Sequence, residues 1–271
     1  MDFNLMYITN NPRIAKICEE NGVDWIFVDL EINGKNERQG HLDTVISRHD
    51  IEDVKIIKDV LTSSELLVRV NPIFEGSEYE INKVINYGAD IIMLPFFKYK
   101  SEVLEFIKII NNRAKTMLLL ETPEAVENID DILSVEGIDY IHIGLNDLHL
   151  GYGMSFMFEL LGNGTVQNLC NKIKKAGIVY GFGGIAQLGK GDLPAEKIIM
   201  EHVRLGSSMV ILSRSFCKIE EVEDYDKISS IFMVETKKLR DKIYELKNVE
   251  EAEFYKNQLE VIEIVNQIVN K

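Results

Sequence analysis

The chain has 271 residues and a formal net charge of −14, with 30 Lys and Arg against 44 Asp and Glu. A hydrophobic content of 46% with 27% charged residues is ordinary for a folded globular protein and argues against disorder. The acidic balance also argues against a nucleic-acid-binding surface, which needs clustered Lys and Arg.

Targeting and membrane segments are not apparent in the sequence. The N-terminus lacks the basic and apolar regions of a signal peptide, and no apolar run approaches the roughly 20 residues of a membrane span. The three cysteines (Cys18, Cys170 and Cys217) are isolated and odd in number, which is typical of a reducing compartment. We therefore expect a cytoplasmic protein with no membrane partner.

In chain order, short runs of apolar and β-branched residues alternate with longer amphipathic stretches. Several of the runs follow a Gly that would end the preceding helix, as Gly22, Gly88 and Gly137 do. The runs predict eight strands, at 5–9, 25–31, 66–71, 91–95, 117–121, 140–144, 178–182 and 209–212. Helices are predicted at 12–21, 51–61, 79–86, 101–112, 123–133, 166–176, 194–204 and 225–246.

The strands are apolar throughout, which is typical of parallel strands buried on both faces. Eight such strands alternating with helices predict a (β/α)8 TIM barrel over residues 1–248. The rival is a doubly wound open sheet. It is less favoured because the first strand leads into Asn10-Asn11-Pro12 and not into a Gly-rich phosphate loop.

Residues 249–271 depart from the repeat. Ala252, Tyr255, Leu259, Ile262 and Val269 fall at helical spacing among charged residues, which predicts an additional C-terminal amphipathic helix. This helix either closes off its own barrel or is exchanged with a neighbouring subunit. We expect a homo-oligomer.

Active sites of (β/α)8 barrels lie at the C-terminal ends of the strands, so the polar residues at those ends are the candidates for a site. They include acidic, basic and glycine residues, and they lie at the ends of the second to the eighth predicted strands. They are Asp29, Glu31, Arg69, Asn71, Lys98, Glu121, Asn146, Asp147, His149, Gly183, Gly184, Ser213, Arg214 and Ser215.

Glu121 and Asp147 follow neighbouring strands. Glu121 ends an apolar run directly before Thr122-Pro123, a pair that caps and starts a helix, so its position at the strand end is well defined. Two carboxylates on adjacent strand ends can share one hard cation, Mg²⁺ or Mn²⁺, and leave positions for water and substrate oxygens. The alternative for Glu121 is a structural pairing with a Lys or Arg.

Arg69 emerges from the apolar strand at 66–71, and a buried Arg needs an anionic partner. It either forms an ion pair with Asp29 or Glu31, or clamps a substrate carboxylate or a developing enolate oxygen. Gly183 and Gly184 either let the backbone approach a substrate carboxylate or phosphate, or serve tight barrel packing.

Several segments resemble the HpcH/HpaI aldolase/citrate lyase family, in order from about residue 20 to 150. Residues 118–129, LLLETPEAVENI, resemble its "ET-x-EAV-x-N-I" segment, and residues 143–148, IGLNDL, are similar to its "IG-x-x-DL" turn. Residues 28–31, VDLE, with Lys35 and Arg38 are similar to the "DLED…K…R" stretch of the citrate-lyase-like branch. The runs VRVN at 68–71 and Leu94-Pro95 also resemble the family.

The resemblance implies a metal-dependent carbon–carbon lyase of the aldolase type, acting on a small 2-oxo acid through a metal-stabilised enolate. Glu121 and Asp147 match the family's Mg²⁺ or Mn²⁺ ligands, and Arg69 matches the residue that neutralises the enolate. The remaining substrate-binding candidates are Asn146, Gly183, Gly184 and Lys98.

One position departs from the family. Its aldolase branch has a His, and its citrate-lyase-like branch an Asp, directly after the acidic residue of strand 2, where this chain has Ile32. The acid/base group is then His149, Glu31, Lys98, or His41 in the loop at 33–42. Two alternative functions stay open: the citrate-lyase-like features suggest an enzyme acting on an acyl-CoA thioester, and Ile32 suggests a degenerate barrel that binds oxo acids without turnover.

Overall fold

The computed structural model describes residues 3–33, 49–219, 222 and 224–270. Over these residues a strand-helix alternation runs along the chain, as the sequence predicts. The strands are β1 (Asn4–Ile8), β2 (Trp25–Asp29), β3 (Glu65–Arg69), β4 (Ile91–Leu94), β5 (Lys115–Leu120), β6 (Tyr140–Ile143), β7 (Val179–Phe182), β8 (Gly184–Ile185) and β9 (Met209–Leu212).

The helices lie between and after these strands. They are α1 (Pro12–Glu20), α2 (Ile51–Val60), α3 (Ser77–Asn86), α4 (Lys100–Ile110), α5 (Pro123–Glu127), α6 (Ile129–Leu133), α7 (Leu145–Gly151), α8 (Glu159–Gly162), α9 (Thr165–Lys175), α10 (Ala195–Leu205), a 3₁₀ turn (Arg214–Phe216), α11 (Tyr225–Leu246) and α12 (Glu251–Val269). Of the helices in this described part of the chain, none combines the length and apolarity that crossing a bilayer takes.

All strand pairings are parallel, and the sheet order is β7-β6-β5-β4-β3-β2-β1-β9-β8. β7 and β8 stand at opposite ends of this order yet are separated in the chain only by Gly183, so they are two halves of one bent strand. The first half pairs with β6 and the second with β9. The Ser208 N–H also donates to the Tyr180 carbonyl across the seam, at 2.9 Å. The predicted barrel is confirmed, and it is nearly closed.

The seam depends on Gly181 in β7. A Cβ atom at this position would lie 2.2 Å from both the Cγ and the carbonyl oxygen of Met209. Any side chain there would push β7 away from β9, so glycine is required for the two strands to approach.

Alternate side chains of each strand point into the barrel, because side chains in a strand alternate between its two faces. The interior is filled by buried Met6, Trp25, Phe27, Leu67, Ile91, Met93, Met117, Leu119 and Met209. Two residues beyond Phe27, Leu67 and Leu119, the next inward positions are Asp29, Arg69 and Glu121. The strand period therefore brings one basic and two acidic side chains together above an apolar core.

The C-terminal helix α12 packs against α8 and α10 of its own barrel. Its side chains Val261 and Val265 are buried, and Asn257 donates its amide to Glu201 Oε1 at 2.9 Å and to the Lys197 carbonyl at 3.1 Å. Within this chain the helix covers the barrel. The division at residue 248 and the homo-oligomer stay predictions.

Candidate active site

A cavity of about 290 Å³ opens among the C-terminal ends of the strands. Nine of the fourteen candidates from the sequence line it, and Glu31, Asn71, Lys98, His149 and Ser215 do not. The nine are Asp29, Arg69, Glu121, Asn146, Asp147, Gly183, Gly184, Ser213 and Arg214; the other described residues that line it are Ile8, Leu119, His142, Gly144, Leu145, Met157 and Ile211.

Glu121 directly follows β5 and is only 3% exposed. Thr122 caps the next helix by accepting the Ala125 N–H at 3.2 Å, and its hydroxyl donates to the Phe97 carbonyl at 2.8 Å. The Glu121 Oε1 atom accepts the backbone N–H of Phe96 at 3.1 Å. Phe96 has a φ of +52°, an unfavourable conformation for a bulky residue. The Thr122 hydrogen bonds thus fix the backbone after Glu121, and the Phe96 N–H holds its carboxylate.

Gly144, which follows β6, leaves room for that carboxylate. A Cβ atom at position 144 would lie 2.8 Å from Glu121 Cβ and 2.9 Å from Glu121 Oε2. Asp147 lies in the first turn of α7 and is nearly buried at the wall of the same cavity. The glycine therefore keeps the space beside the Glu121 carboxylate clear, in the cavity that Asp147 also lines.

These features fit a hard divalent cation. Glu121 and Asp147 supply carboxylate oxygens, which Mg²⁺ and Mn²⁺ prefer, and Gly144 leaves space next to them. Within residues 3–33, 49–219, 222 and 224–270, no group of three or more His, Cys, Asp or Glu side chains is placed to hold a metal. Glu121 and Asp147 would supply two carboxylate ligands to a cation bound here and leave other coordination positions for substrate and water.

Arg69 is held by two carboxylates. Its Nε and Nη2 atoms donate to the two oxygens of Asp29, at 2.8 Å each, and its Nη1 atom lies 3.3 Å from Glu31 Oε2. Burial alone would lower the pKa of Arg69, but the charges of Asp29 and Glu31 outweigh it and raise the pKa well above its usual value. Asp29 and Glu31, the two partners that the sequence predicts for an ion pair with Arg69, both contact it. Since a guanidinium has five N–H groups, these contacts leave two donors on a side chain that lines the cavity.

Glu31 lies behind Arg69, and it is fully buried away from the cavity. β2 ends at Asp29, and beyond it the backbone N–H groups of Ile32 and Asn33 donate to Asn71 Oδ1, at 2.9 and 3.0 Å. Ile32 is 59% exposed. The segment thus places Glu31 against Arg69, which it helps to orient. It also places the apolar, exposed side chain of Ile32 at the position where the family has its acid/base residue.

His149 does not line this cavity. It is buried in α7, where its Nδ1 atom is 3.1 Å from the Leu145 carbonyl of the same helix. Among the proposed acid/base groups, Lys98 lies in a neighbouring cavity and forms an ion pair with Glu124, at 2.7 Å, which raises the pKa of Lys98. His41, like Lys35 and Arg38, lies outside the described residues.

Sequence reasoning missed His142, an inward-facing residue of β6 that lines the cavity and is 1% exposed. Its Nε2 atom is 3.0 Å from the Gly183 carbonyl, so in a neutral ring this nitrogen carries the hydrogen. Burial lowers the pKa of His142 to about 4 despite that bond, and the charge of Arg69 acts in the same direction. The strand period, applied to β6, would have found this residue.

Gly183 serves the bend between β7 and β8. Its φ is +56°, and a Cβ atom there would lie 2.8 Å from Leu145 Cδ1. The carbonyl of Gly183 faces His142. The positive φ and the close approach of Leu145 are therefore enough to require glycine at position 183, whether or not its backbone also approaches a ligand.

The family model that matches the chain is HpcH/HpaI aldolase/citrate lyase, over residues 4–178. The chain belongs to this family. The match includes the motifs around Glu121 and Asp147, so the resemblance that the sequence predicts is confirmed. The family's name refers to enzymes that cleave carbon–carbon bonds.

The chain is similar to several aldolases, but at low sequence identity or over a short segment. The chain is 23% identical over 222 residues to a 2-keto-3-deoxy-L-rhamnonate aldolase of Escherichia coli O17:K52:H18, covering 69% of this chain and 76% of the relative. It is 35% identical over 79 residues to a hydroxypyruvate/pyruvate aldolase of Rhizorhabdus wittichii, covering 27% of this chain and 32% of the relative.

Among solved structures, an HpcH/HpaI aldolase from Desulfitobacterium hafniense aligns with a TM-score of 0.61 and 18% identity, covering 78% of this chain and 86% of that one. The citrate synthase SbnG aligns with a TM-score of 0.59 and 19% identity, covering 88% and 94%. At these identities the structural likeness establishes the fold alone.

Proposed function

We propose that the chain is a divalent-metal-dependent aldolase that makes or cleaves a carbon–carbon bond next to a small 2-oxo acid. One observation carries the proposal: Glu121, Asp147 and the fixed guanidinium of Arg69 line one small cavity at the C-terminal end of the barrel. The names of the two aldolase relatives point in the same direction.

In this proposal each residue has a defined task. Glu121 and Asp147 would hold Mg²⁺ or Mn²⁺, which, when bound, would polarise the substrate carbonyl as a Lewis acid. Arg69 donates hydrogen bonds to the carbonyl oxygen as negative charge develops there. Asp29 and Glu31 fix the guanidinium in advance, so the site does not reorganise during the reaction.

The cavity also suits the size and polarity of such a substrate. Its volume of about 290 Å³ is at the lower limit for ligand pockets in general. Ile8, Leu119 and Ile211 give it an apolar wall, against which a methyl or methylene group would lie. A small oxo acid would therefore have its carboxylate and carbonyl on the polar side and its alkyl end on the apolar side.

A second candidate function, binding of oxo acids without turnover, rests on Ile32. This residue has no ionisable group and is largely exposed at the position where the family keeps its acid/base residue. A protein with this change would retain the cation and bind substrate, but would transfer protons slowly.

The exchange of pyruvate methyl protons for deuterium, followed by NMR, tests the proposal. We expect exchange that requires Mg²⁺, stops with EDTA and is lost in Glu121→Gln, but persists in Glu65→Gln, a variant of a surface ion pair with Lys115. Tight binding of oxalate without exchange would favour the binding protein. If the protein binds neither cation nor oxo acid, the proposed function is wrong.

We also propose a cytoplasmic homo-oligomer. Cys18, Cys170 and Cys217 are buried and unbridged, which supports a reducing compartment. Tyr255 and Leu259 of α12 stay exposed, which supports contact with a second copy. Light scattering coupled to size-exclusion chromatography would measure the number of subunits.

A further inference from the structure

A second cavity, of about 560 Å³, adjoins the first and shares Glu121 and Asp147 with it. Its outer wall includes Lys98, after β4, and Glu124 and Glu127, on α5. A cation held by Glu121 and Asp147 would therefore be reached from two sides. The inner cavity contains Arg69, and the outer one contains Lys98.

The charges around the second cavity are mostly negative. Among the described residues that line it, four carboxylates (Glu121, Glu124, Glu127 and Asp147) stand against the single ammonium group of Lys98. The Lys98 Nζ atom is 2.7 Å from Glu124 Oε1, and this contact lowers the pKa of Glu124, so both groups are charged near neutral pH. A divalent cation would cancel the charges of Glu121 and Asp147, and Glu127 would then leave the outer part negative.

We infer that the second cavity is the subsite for the acceptor aldehyde, and that it selects a neutral, hydroxylated aldehyde over an anionic one. This inference rests on the proposed aldolase function and names the second substrate of that reaction. Lys98 and Glu124 offer a hydrogen-bond donor and acceptors for hydroxyl groups, while Phe96 and Leu150 cover the carbon chain. The surplus negative charge opposes a carboxylate or phosphate group on the acceptor, and the several phosphates of an acyl-CoA thioester even more.

The two cavities meet where the new bond would form. The carbon next to the carbonyl of the oxo acid, after losing a proton, donates its electron pair to the aldehyde carbon, and the aldehyde π bond opens onto oxygen. That oxygen takes up one proton, so the two substrates combine to a 4-hydroxy-2-oxo acid with no atom lost. This step requires the aldehyde next to the attacking carbon, and the second cavity adjoins the first at Glu121 and Asp147, so it offers a place for the aldehyde beside the oxo acid.

Two acceptors with the same carbon chain, one of which carries a phosphate group, test the inference: glyceraldehyde and glyceraldehyde 3-phosphate, each condensed with pyruvate in the presence of Mg²⁺. We expect wild-type kcat/KM to favour glyceraldehyde. Glu127→Lys should shift the ratio toward the phosphate by about fivefold, because a two-unit charge change acts on an anion at short range. The matched control Glu136→Lys makes the same change on an exposed side chain near the opposite end of β6 and should leave the ratio within about twofold.

A readout without turnover is the binding of glycerol 3-phosphate to the protein loaded with Mg²⁺ and oxalate, measured by calorimetry. Glu127→Lys should strengthen this binding by a similar factor, and Glu136→Lys should not. A wild-type preference for the phosphate, no shift in Glu127→Lys, or equal shifts in both variants would overturn the inference. A wild-type protein that does not exchange pyruvate protons would instead overturn the proposed function itself.

Discussion

Arg69 and Asp29 are joined by two parallel hydrogen bonds at the mouth of the barrel, Nε to Oδ1 and Nη2 to Oδ2, each 2.8 Å long. Asp29 is itself held, because its backbone N–H donates to His49 Nδ1 at 3.0 Å. A two-bond pairing of this kind fixes the plane of a guanidinium as well as its position. Arg69 is therefore oriented before any substrate binds.

Asp29→Asn should destabilise the protein by about 2 to 4 kcal/mol, because it leaves a buried guanidinium with less charge compensation. Urea unfolding would measure the change. The control Glu65→Gln removes one partner of an exposed ion pair, Glu65 with Lys115 at 2.6 Å, and should cost less than about 1 kcal/mol. Equal losses in the two variants would contradict the role of Asp29.

Gly144→Ala should weaken the binding of Mn²⁺ by about tenfold or more while the protein stays folded. The new methyl group would lie within 3 Å of both Cβ and Oε2 of Glu121, so the carboxylate would have to move from its position in the cavity that Asp147 also lines. Calorimetric titration with Mn²⁺ would measure the affinity. Gly162→Ala is the matched control, because its Cβ atom would be at an ordinary 3.5 Å from Val265. Unchanged affinity in Gly144→Ala would show that Glu121 does not depend on this space.

His142 should make the fold sensitive to mild acid. Its pKa is about 4 in the folded protein, below the usual 6.5, so the unfolded chain binds the proton more tightly. The corresponding stability is fully present above pH 6.5 and is lost as the pH falls toward 4, by about 3 kcal/mol in total. Unfolding free energies measured from pH 7 to pH 4.5 should therefore fall less steeply in His142→Phe than in the wild type. Parallel curves for the two proteins would contradict the assignment.

The sequence predicts the barrel well because the strand signal is local. Runs of apolar residues fix eight strands, and their ends select Arg69, Glu121 and Asp147, all of which line the cavity. The seventh strand differs. Its predicted run stops at residue 182, but the chain bends at Gly183 and continues as β8, because only a second, short pairing with β9 completes the ring. That pairing involves residues far apart in the chain, and no local pattern reports it.

The acid/base candidates are harder to predict, since they lie beyond the ends of the strands. The sequence predicts Glu31 at the end of a strand over 25–31, but β2 ends at Asp29 and Asn71 redirects the following backbone. His149 is only two residues from Asp147 in the sequence, yet in α7 its side chain is buried and contacts the Leu145 carbonyl. A tertiary contact decides the direction of the Glu31 side chain, and the geometry of helix α7 decides that of His149; sequence spacing leaves both open.

The binding of Mn²⁺ tests the central claim most directly, namely that Glu121 and Asp147 together hold one divalent cation beside Arg69. Electron paramagnetic resonance would count the bound ions in the wild type and in Glu121→Gln, Asp147→Asn and Glu65→Gln. We predict one ion per chain in the wild type and in Glu65→Gln, and a loss of affinity of at least about 100-fold in each of the two site variants. Binding of the same affinity in all four proteins, or no binding in the wild type, would contradict the account.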